Sequence, residues 1–311
     1  MKKPAGLGMA IRVVEAQEVD QQRIAIPGWE QQYTQMSAGR FAGRILHAEV
    51  EGIELYEEQM NLRVEQEFHA PPGALVFSFD MSDNALYLLD GETRNAWVTP
   101  ENYREVAVVI KESAHWGQPA DAFADLVLTP LRSGHCQSVA TSLSNLLTGA
   151  TTGDDPMDAP GVAQSIVSNC FSLLCEAPLD GERRARSIVQ AKRVVQRVKE
   201  VVNDCPDEQF GMADLAAKAG VSPRTLQQSF LHYAGIPPIV WLRNRRLNAA
   251  RRDLLAAAES GMTVAEVAMK WSFWHLGRFS QSYFALFGEY PKTTAKLGGR
   301  ACSHCLQRSG S

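Results

Sequence analysis

No stretch of 18 or more apolar residues occurs in this chain, which excludes a membrane-spanning helix. The start, Met1-Lys2-Lys3-Pro4, is basic, but no apolar signal core follows it, so the expected location is cytoplasmic. Cysteine is sparse and scattered. Cys136, Cys170, Cys175, Cys205, Cys302 and Cys305 do not form a framework, which argues against a disulfide scaffold. Cys302-Ser-His-Cys305 is a lone CxxC in a polar tail. It lacks the second ligand pair of a zinc site and the strand–helix setting of a redox motif. His47, His69, His115 and His135 stand singly, with no His-x-His, so no metal site is expected. A phosphate-binding glycine loop and a nucleophile–base motif are both missing. The chain is therefore expected to be no enzyme and to need no cofactor.

What is present is uneven. The 311 residues suit two domains, and the formal net charge of −4 says little by itself. Residues 182–311 hold 20 Lys+Arg against 10 Asp+Glu, while the remainder holds 11 against 25. A basic C-terminal part beside an acidic N-terminal part points to a polyanion partner for the former only.

The N-terminal part reads as β from Arg44 onward. Ile53 and Leu55, then Met60, Leu62 and Val64, alternate with charged residues, the pattern of half-buried strands. Residues 74–79, 85–89, 97–98 and 106–110 add short apolar strands, and Asp90-Gly91 is a hairpin turn pair. About seven such strands suggest a sandwich or small barrel. Helices are expected over 120–128, 138–148 and 162–175, and the last carries an apolar stripe of Ile166, Val167, Cys170, Phe171 and Leu174. That stripe is either domain core or one half of a dimer contact. A linker over 178–186 leads to a helix over 187–202, with Arg193, Arg197 and Lys199 outward. The tail from Gly298 is polar and expected to be disordered.

Residues 212–291 contain one small device twice. In the first copy Leu215, Ala216 and Ala219 fall at helical spacing. Gly220 then permits a tight turn, Ser222 suits an N-cap, and Pro223 suits a helix start. Leu226 and Phe230 mark the inner face of the next helix. In the second copy Val264, Val267 and Ala268 form the first apolar face, and Phe279, Tyr283 and Phe287 the next. Each copy is a helix-turn-helix, whose second helix enters the DNA major groove. Between them, residues 238–258 lack any breaker and predict one helix of roughly 30 Å, close to one turn of duplex DNA at about 34 Å.

Over about Ala191 to Ala295 the chain resembles the AraC/XylS family of bacterial transcription regulators. The resemblance rests on Ala216-Ala217-Lys218-Ala219-Gly220-Val221-Ser222, on the run Arg246 to Arg251, on Phe279 to Phe287, and on Gly288 and Pro291. It departs at Trp271-Ser272-Phe273, where the family often has a central glycine, and at Trp274 and His275. It implies an α+β protein. A cupin-like or jelly-roll β domain with flanking helices covers 1–181 and serves effector binding and dimerisation. An all-α DNA-binding domain covers 182–298, with two helix-turn-helix motifs joined by a long helix, and a tail covers 299–311. It also implies double-stranded operator DNA and RNA polymerase as partners, a small-molecule effector, a homodimer formed through the N-terminal domain, and activation rather than repression. It favours the dimer use of the 162–175 stripe.

Opposite the inner face of the first reading helix stand Arg224, Thr225, Gln227 and Gln228, with His232 at the edge. Arginine can bond bidentately to guanine and glutamine to adenine. The resemblance puts base contacts at Arg224, Gln227 and Gln228. The second reading helix exposes His275, Leu276, Gly277, Arg278, Gln281 and Ser282, with Arg278 and Gln281 best suited to base edges. Gly277 would let the backbone approach closely. Ser222, Lys270, and Ser272 or His275 are the candidates for phosphate. The connector arginines, at 243, 245, 246, 251 and 252, spread around the helix, so not all can face DNA. Arg246 is expected to pair with Asp214 or Glu266, because an unpaired buried arginine is costly. Phe77, Phe79, Tyr87 and Trp97 are candidates for an effector pocket or for ordinary core, and effector-binding residues stay unassigned. The rival readings are a cupin-type small-molecule enzyme with an attached DNA-binding module, and an architectural DNA-binding protein without sequence preference.

Overall fold

A computed structural model describes residues 11–111, 126–152, 161–176, 182–205 and 208–298. The chain divides into two compact units, Met1–Tyr33 with Phe41–Glu182, and Thr34–Arg40 with Arg183–Ser311.

The first unit carries β1 (Arg12–Ala16), α1 (Val19–Ile24), most of β2 (Glu30–Gln35), β3 (Gly43–Val50), β4 (Ile53–Met60), β5 (Val64–His69), β6 (Leu75–Asp80), β7 (Ala85–Asp90), β8 (Asn95–Val98) and β9 (Tyr103–Ile110). Helices α2 (Gly134–Thr152) and α3 (Val162–Glu176) follow. The strands form a six-stranded sheet, β1-β3-β4-β9-β6-β7, and a three-stranded sheet, β2-β5-β8. Two strands lie in stretches without clean periodicity. β1 is short and largely exposed, and β2 (EQQYTQ) is mostly polar.

Strand alternation decides which core each residue enters. Leu55 of β4, Phe77 of β6, Leu88 of β7 and Val108 of β9 join one cluster with Leu143 of α2 and Ile166 of α3. Their neighbours Tyr56, Val76, Leu89 and Val109 join another with Phe68 of β5. The large sheet is therefore covered on both faces. This corrects the half-buried reading of β4, where Glu54, Glu57 and Glu58 are all buried. It also places the α3 stripe. Ile166, Val167 and Cys170 pack into the unit's own core rather than on a free face. The Asp90-Gly91 turn is likewise no hairpin, because β7 pairs with β6 while the next strand, β8, pairs with β5. The true two-residue hairpin is Glu51-Gly52 between β3 and β4, with φ of 45° and 88°.

Of the expected helix over 120–128, residues 120–125 lie outside the described residues, and Val127 makes a β-bridge to Leu88. Residues 178–181 of the expected linker also lie outside them, and the rest of it is helical, since α4 (Glu182–Asp204) begins there. Cys302, Cys305 and the expected disordered tail lie outside the described residues too.

The second unit continues with α5 (Met212–Lys218), α6 (Pro223–Ala234), α7 (Pro238–Leu255), α8 (Ala257–Ser260), α9 (Val264–Lys270) and α10 (Leu276–Phe287). The connector α7 has 18 residues, or about 27 Å, because a separate short helix takes over at Ala257. Leu215, Ala216, Leu226, Phe230 and Trp241 are buried, and the Phe230 and Trp241 rings meet edge-on at 5.1 Å. Leu247, Leu254, Val267, Ala268, Phe279 and Phe287 form the core of the second helix pair. On α4, Lys199 is buried rather than outward, and its ammonium donates to the Tyr233 hydroxyl at 3.1 Å.

Candidate nucleic-acid interface

The two helix pairs are built alike down to their hydrogen bonds. In the first, Gly220 donates to the carbonyl of Ala217 and Val221 to that of Ala216. In the second, Ser272 donates to Met269 and Phe273 to Ala268. Gly220 has φ of +66° and Ser272 has φ of +64°, so the same left-handed turn is made once by glycine and once by serine. Beyond the turn, Ser222 and His275 stand at the N-caps of α6 and α10. The second turn is one residue longer, and the extra residue is the exposed Trp274. Inner positions then match in order, Leu226 with Phe279 and Phe230 with Tyr283. Both helices end on a left-handed glycine, Gly235 at φ 68° and Gly288 at φ 69°.

This correspondence fixes which outer residues are equivalent. Arg224 matches Gly277, Thr225 matches Arg278, and Gln228 matches Gln281. All six are exposed, as are Gln227 and His275. Neither Arg224 nor Arg278 makes an ion pair among the described residues, so both guanidiniums are free to meet a polyanion. Ser222 accepts from the Thr225 amide at 3.1 Å, and its hydroxyl lies 2.9 Å from that of Thr225. Its oxygen thus fixes the start of α6. Ser282 is half-buried rather than fully outward. Lys270 is held by Asp253 at 2.8 Å and lies over the Trp271 ring, while the Trp271 indole donates to the same carboxylate at 2.7 Å.

Among the connector arginines the structure makes a different choice from the expected one. Asp214 accepts from the Gly211 amide and Glu266 from Thr263, so both serve helix caps. Arg246 donates to the carbonyl of Glu208. The buried arginine is Arg251, ion-paired with Glu289 at 2.9 Å. Arg245 lies over the Trp241 ring at 5.0 Å, and Arg243 is exposed. The exposed Trp274 is marked in the sequence only as a departure from the family pattern, not among the candidate contacts. Its signal is the one-residue difference between the two turns.

Comparison with known proteins places this region. A family profile described as a helix-turn-helix domain matches residues 215–296. "XylDLEGF operon transcriptional activator 2" of Pseudomonas putida is 31% identical over 117 residues, covering 38% of this chain and 74% of that protein. A longer "XylDLEGF operon transcriptional activator" of the same organism is 34% identical over 105 residues, and the match spans only 32% of its length. "Probable thc operon regulatory protein" of Rhodococcus erythropolis is 40% identical over 80 residues, covering 26% of this chain and 24% of that one. Among solved structures, a probable AraC family transcriptional regulator from Rhodopseudomonas palustris covers 34% of this chain and 96% of its own at 28% identity and a TM-score of 0.31. The AraC-like transcriptional activator CuxR covers 78% and 96% at 12% identity and a TM-score of 0.36.

Proposed function

Because the chain belongs to the AraC/XylS family of transcription regulators, we propose that it activates transcription by reading operator DNA with α6 and α10 in successive major grooves. The observation that carries this is the matched construction of the two helices, each presenting exposed polar side chains, one free arginine on each, from the half of the chain with excess positive charge. Arg224, Gln227 and Gln228 on α6, with Arg278 and Gln281 on α10, read base edges. Thr225, His275, Gly277 and Ser282 lie beside them, and Ser222 and Lys270 serve the phosphates. In this assignment Lys270 leaves Asp253 when it meets DNA. At about 27 Å, α7 supports a separation near one helical turn of DNA.

Residues 1–181 form the regulatory domain in this reading and 182–298 the DNA-binding domain. A homodimer through the first reads two half-sites, a small effector acts in its β domain, and RNA polymerase is contacted from the DNA-bound state. The relatives are transcription regulators, not enzymes, so the cupin-type enzyme reading has no support. Among the described residues no helix is long and apolar enough to cross a membrane.

Selection of bound sequences from random duplex DNA with the full-length protein tests the proposal. Two sequence patches about 10 base pairs apart are expected. Enrichment of a single patch overturns the two-helix reading, and no enrichment against a charge-matched competitor favours an architectural protein.

A further inference from the structure

Between the two sheets of the first unit lies a small pocket, about 30 Å³ in volume and partly open to solvent, that DNA binding does not use. Its walls include Tyr56 and Glu58 of β4, Glu105 of β9, Phe68 of β5, Trp97 of β8, and Trp29 just before β2. Trp29 and Phe68 have ring centroids 5.7 Å apart, and Phe68 meets Trp97 edge-on at 4.7 Å. A continuous aromatic wall therefore faces a space tight enough for only a small ligand.

The acidic groups lining this space are two carboxylates, and among the described residues no cationic side chain lines it. Glu58 and Glu105 are both buried. Glu58 accepts from Gln22, Tyr33 and Gln66 at 3.1, 3.0 and 2.8 Å. Glu105 accepts from Ser78 at 2.5 Å and Tyr103 at 2.9 Å. Every one of these donors is neutral. Other buried carboxylates of the unit do have cations beside them. Glu57 pairs with Arg104, Glu54 with Lys111 and Glu67 with Arg94. The two pocket carboxylates have no such partner among the described residues. Burial, then the nearby charge of Glu58, pushes the Glu105 carboxyl up to about 7. The buried indole N–H of Trp29 also has no hydrogen-bond partner.

We infer that this pocket binds a small organic cation, a protonated or quaternary amine, with its charge against Glu58 and Glu105 and its carbon framework on the aromatic faces. The inference rests on the reading of the first unit as an effector-sensing domain and names the chemical class of the effector. An anion would meet two buried carboxylates with nothing to offset them. A neutral aromatic ligand would leave those carboxylates facing each other as before. A metal ion is disfavoured, because no group of three or more His, Cys, Asp or Glu is placed to hold one among the described residues. A hydrogen-bond acceptor on the ligand would also satisfy Trp29.

Titration calorimetry of the full-length protein at pH 8 tests this with three probes of one shape, benzylamine, benzyl alcohol and benzoate, and with tetramethylammonium as a smaller cation. At least one cation is expected to bind saturably. Benzylamine should bind at least tenfold more tightly than benzyl alcohol, and benzoate should give no heat. Glu105→Gln, or Glu58→Gln if the first variant does not fold, should weaken the cation at least tenfold and leave benzyl alcohol within twofold. The inference is overturned if neither cation binds, if benzyl alcohol or benzoate binds as tightly as benzylamine, or if a folded Gln variant keeps full cation affinity. Operator affinity is measured in parallel with and without the bound cation. Cation binding with unchanged operator affinity upholds the pocket and overturns its role as effector site.

Discussion

The guanidinium of Arg251, on the connector α7, lies 2.9 Å from the carboxylate of Glu289, just past the end of α10. The same side chain donates to the Tyr283 hydroxyl at 3.0 Å and to Thr294 at 3.3 Å, and it sits 4.6 Å from the centre of the Phe287 ring. This one arginine ties the connector to the second reading helix and to the segment after it. Arg251→Ala leaves Glu289 without its cation in a largely buried place, so the second unit should lose about 3 kcal/mol of stability. Thermal melts of the full-length variant check this. A melting temperature unchanged from wild type sinks the structural role.

Arg278 has no such commitments, and that contrast separates the two kinds of arginine. Arg278→Ala should leave stability within about 0.5 kcal/mol, as surface changes usually do. It should relax discrimination at one or two bases of the operator, at a cost of about 1–3 kcal/mol. Gln227→Ala should act alike at a different base. Uniform weakening on every sequence would instead make Arg278 a phosphate contact. Repeating the random-duplex selection with each variant distinguishes the outcomes.

How much of this could be read from the sequence follows from what is local. Ser222, Pro223, Gly220 and Gly288 declare caps and turns within a few residues, and both helix pairs follow from them. Which connector arginine turns inward is not local. Arg246 and Arg251 sit in the same run, and only packing against Tyr283 and Phe287 selects Arg251. The β domain shows the same limit. The alternation of β4 is legible, but Glu58 looks solvent-facing until a second sheet covers it. Phe77 and Phe79, candidates for a pocket or for ordinary core, face the core shared with α2 and α3, while Tyr56 and Phe68 join Trp97 at the pocket. Tyr87 packs 5.8 Å from Trp97. β2 supplies Tyr33 from a polar stretch that carries almost no periodic signal.

Ser272 stands in the left-handed turn where the first copy has Gly220. A side chain there is strained, on the order of 1 kcal/mol. Ser272→Gly should therefore stabilise the second unit by about 0.5–1 kcal/mol, and Gly220→Ala should destabilise it by about 1 kcal/mol or more. Paired denaturant titrations of the two variants check the signs. A loss of stability in Ser272→Gly would mean that the serine side chain does more for the turn than its backbone costs.

The buried pair in the β domain sets a pH dependence whose sign can be worked out. Burial first, then the charge of Glu58, raises the Glu105 carboxyl from 4.5 to about 7, with Asp80 adding to the rise and Ser78 and Tyr103 opposing it. Burial raises Glu58 as well, against hydrogen bonds from Gln66, Gln22 and Tyr33. The folded state thus holds protons that the unfolded chain has released. Stability from Glu105 is fully present below pH 4.5 and is lost as pH rises to about 7, above which the curve is flat. Across that window the loss should be on the order of 3 kcal/mol. Glu105→Gln should flatten the profile and be more stable than wild type at pH 8. A saturating organic cation should also restore stability at pH 8 in the wild type alone. Melting temperatures at pH 5 and pH 8, with and without benzylamine, give all four comparisons, and a wild-type profile that rises over the window would mean that Glu105 is ionised when the domain folds.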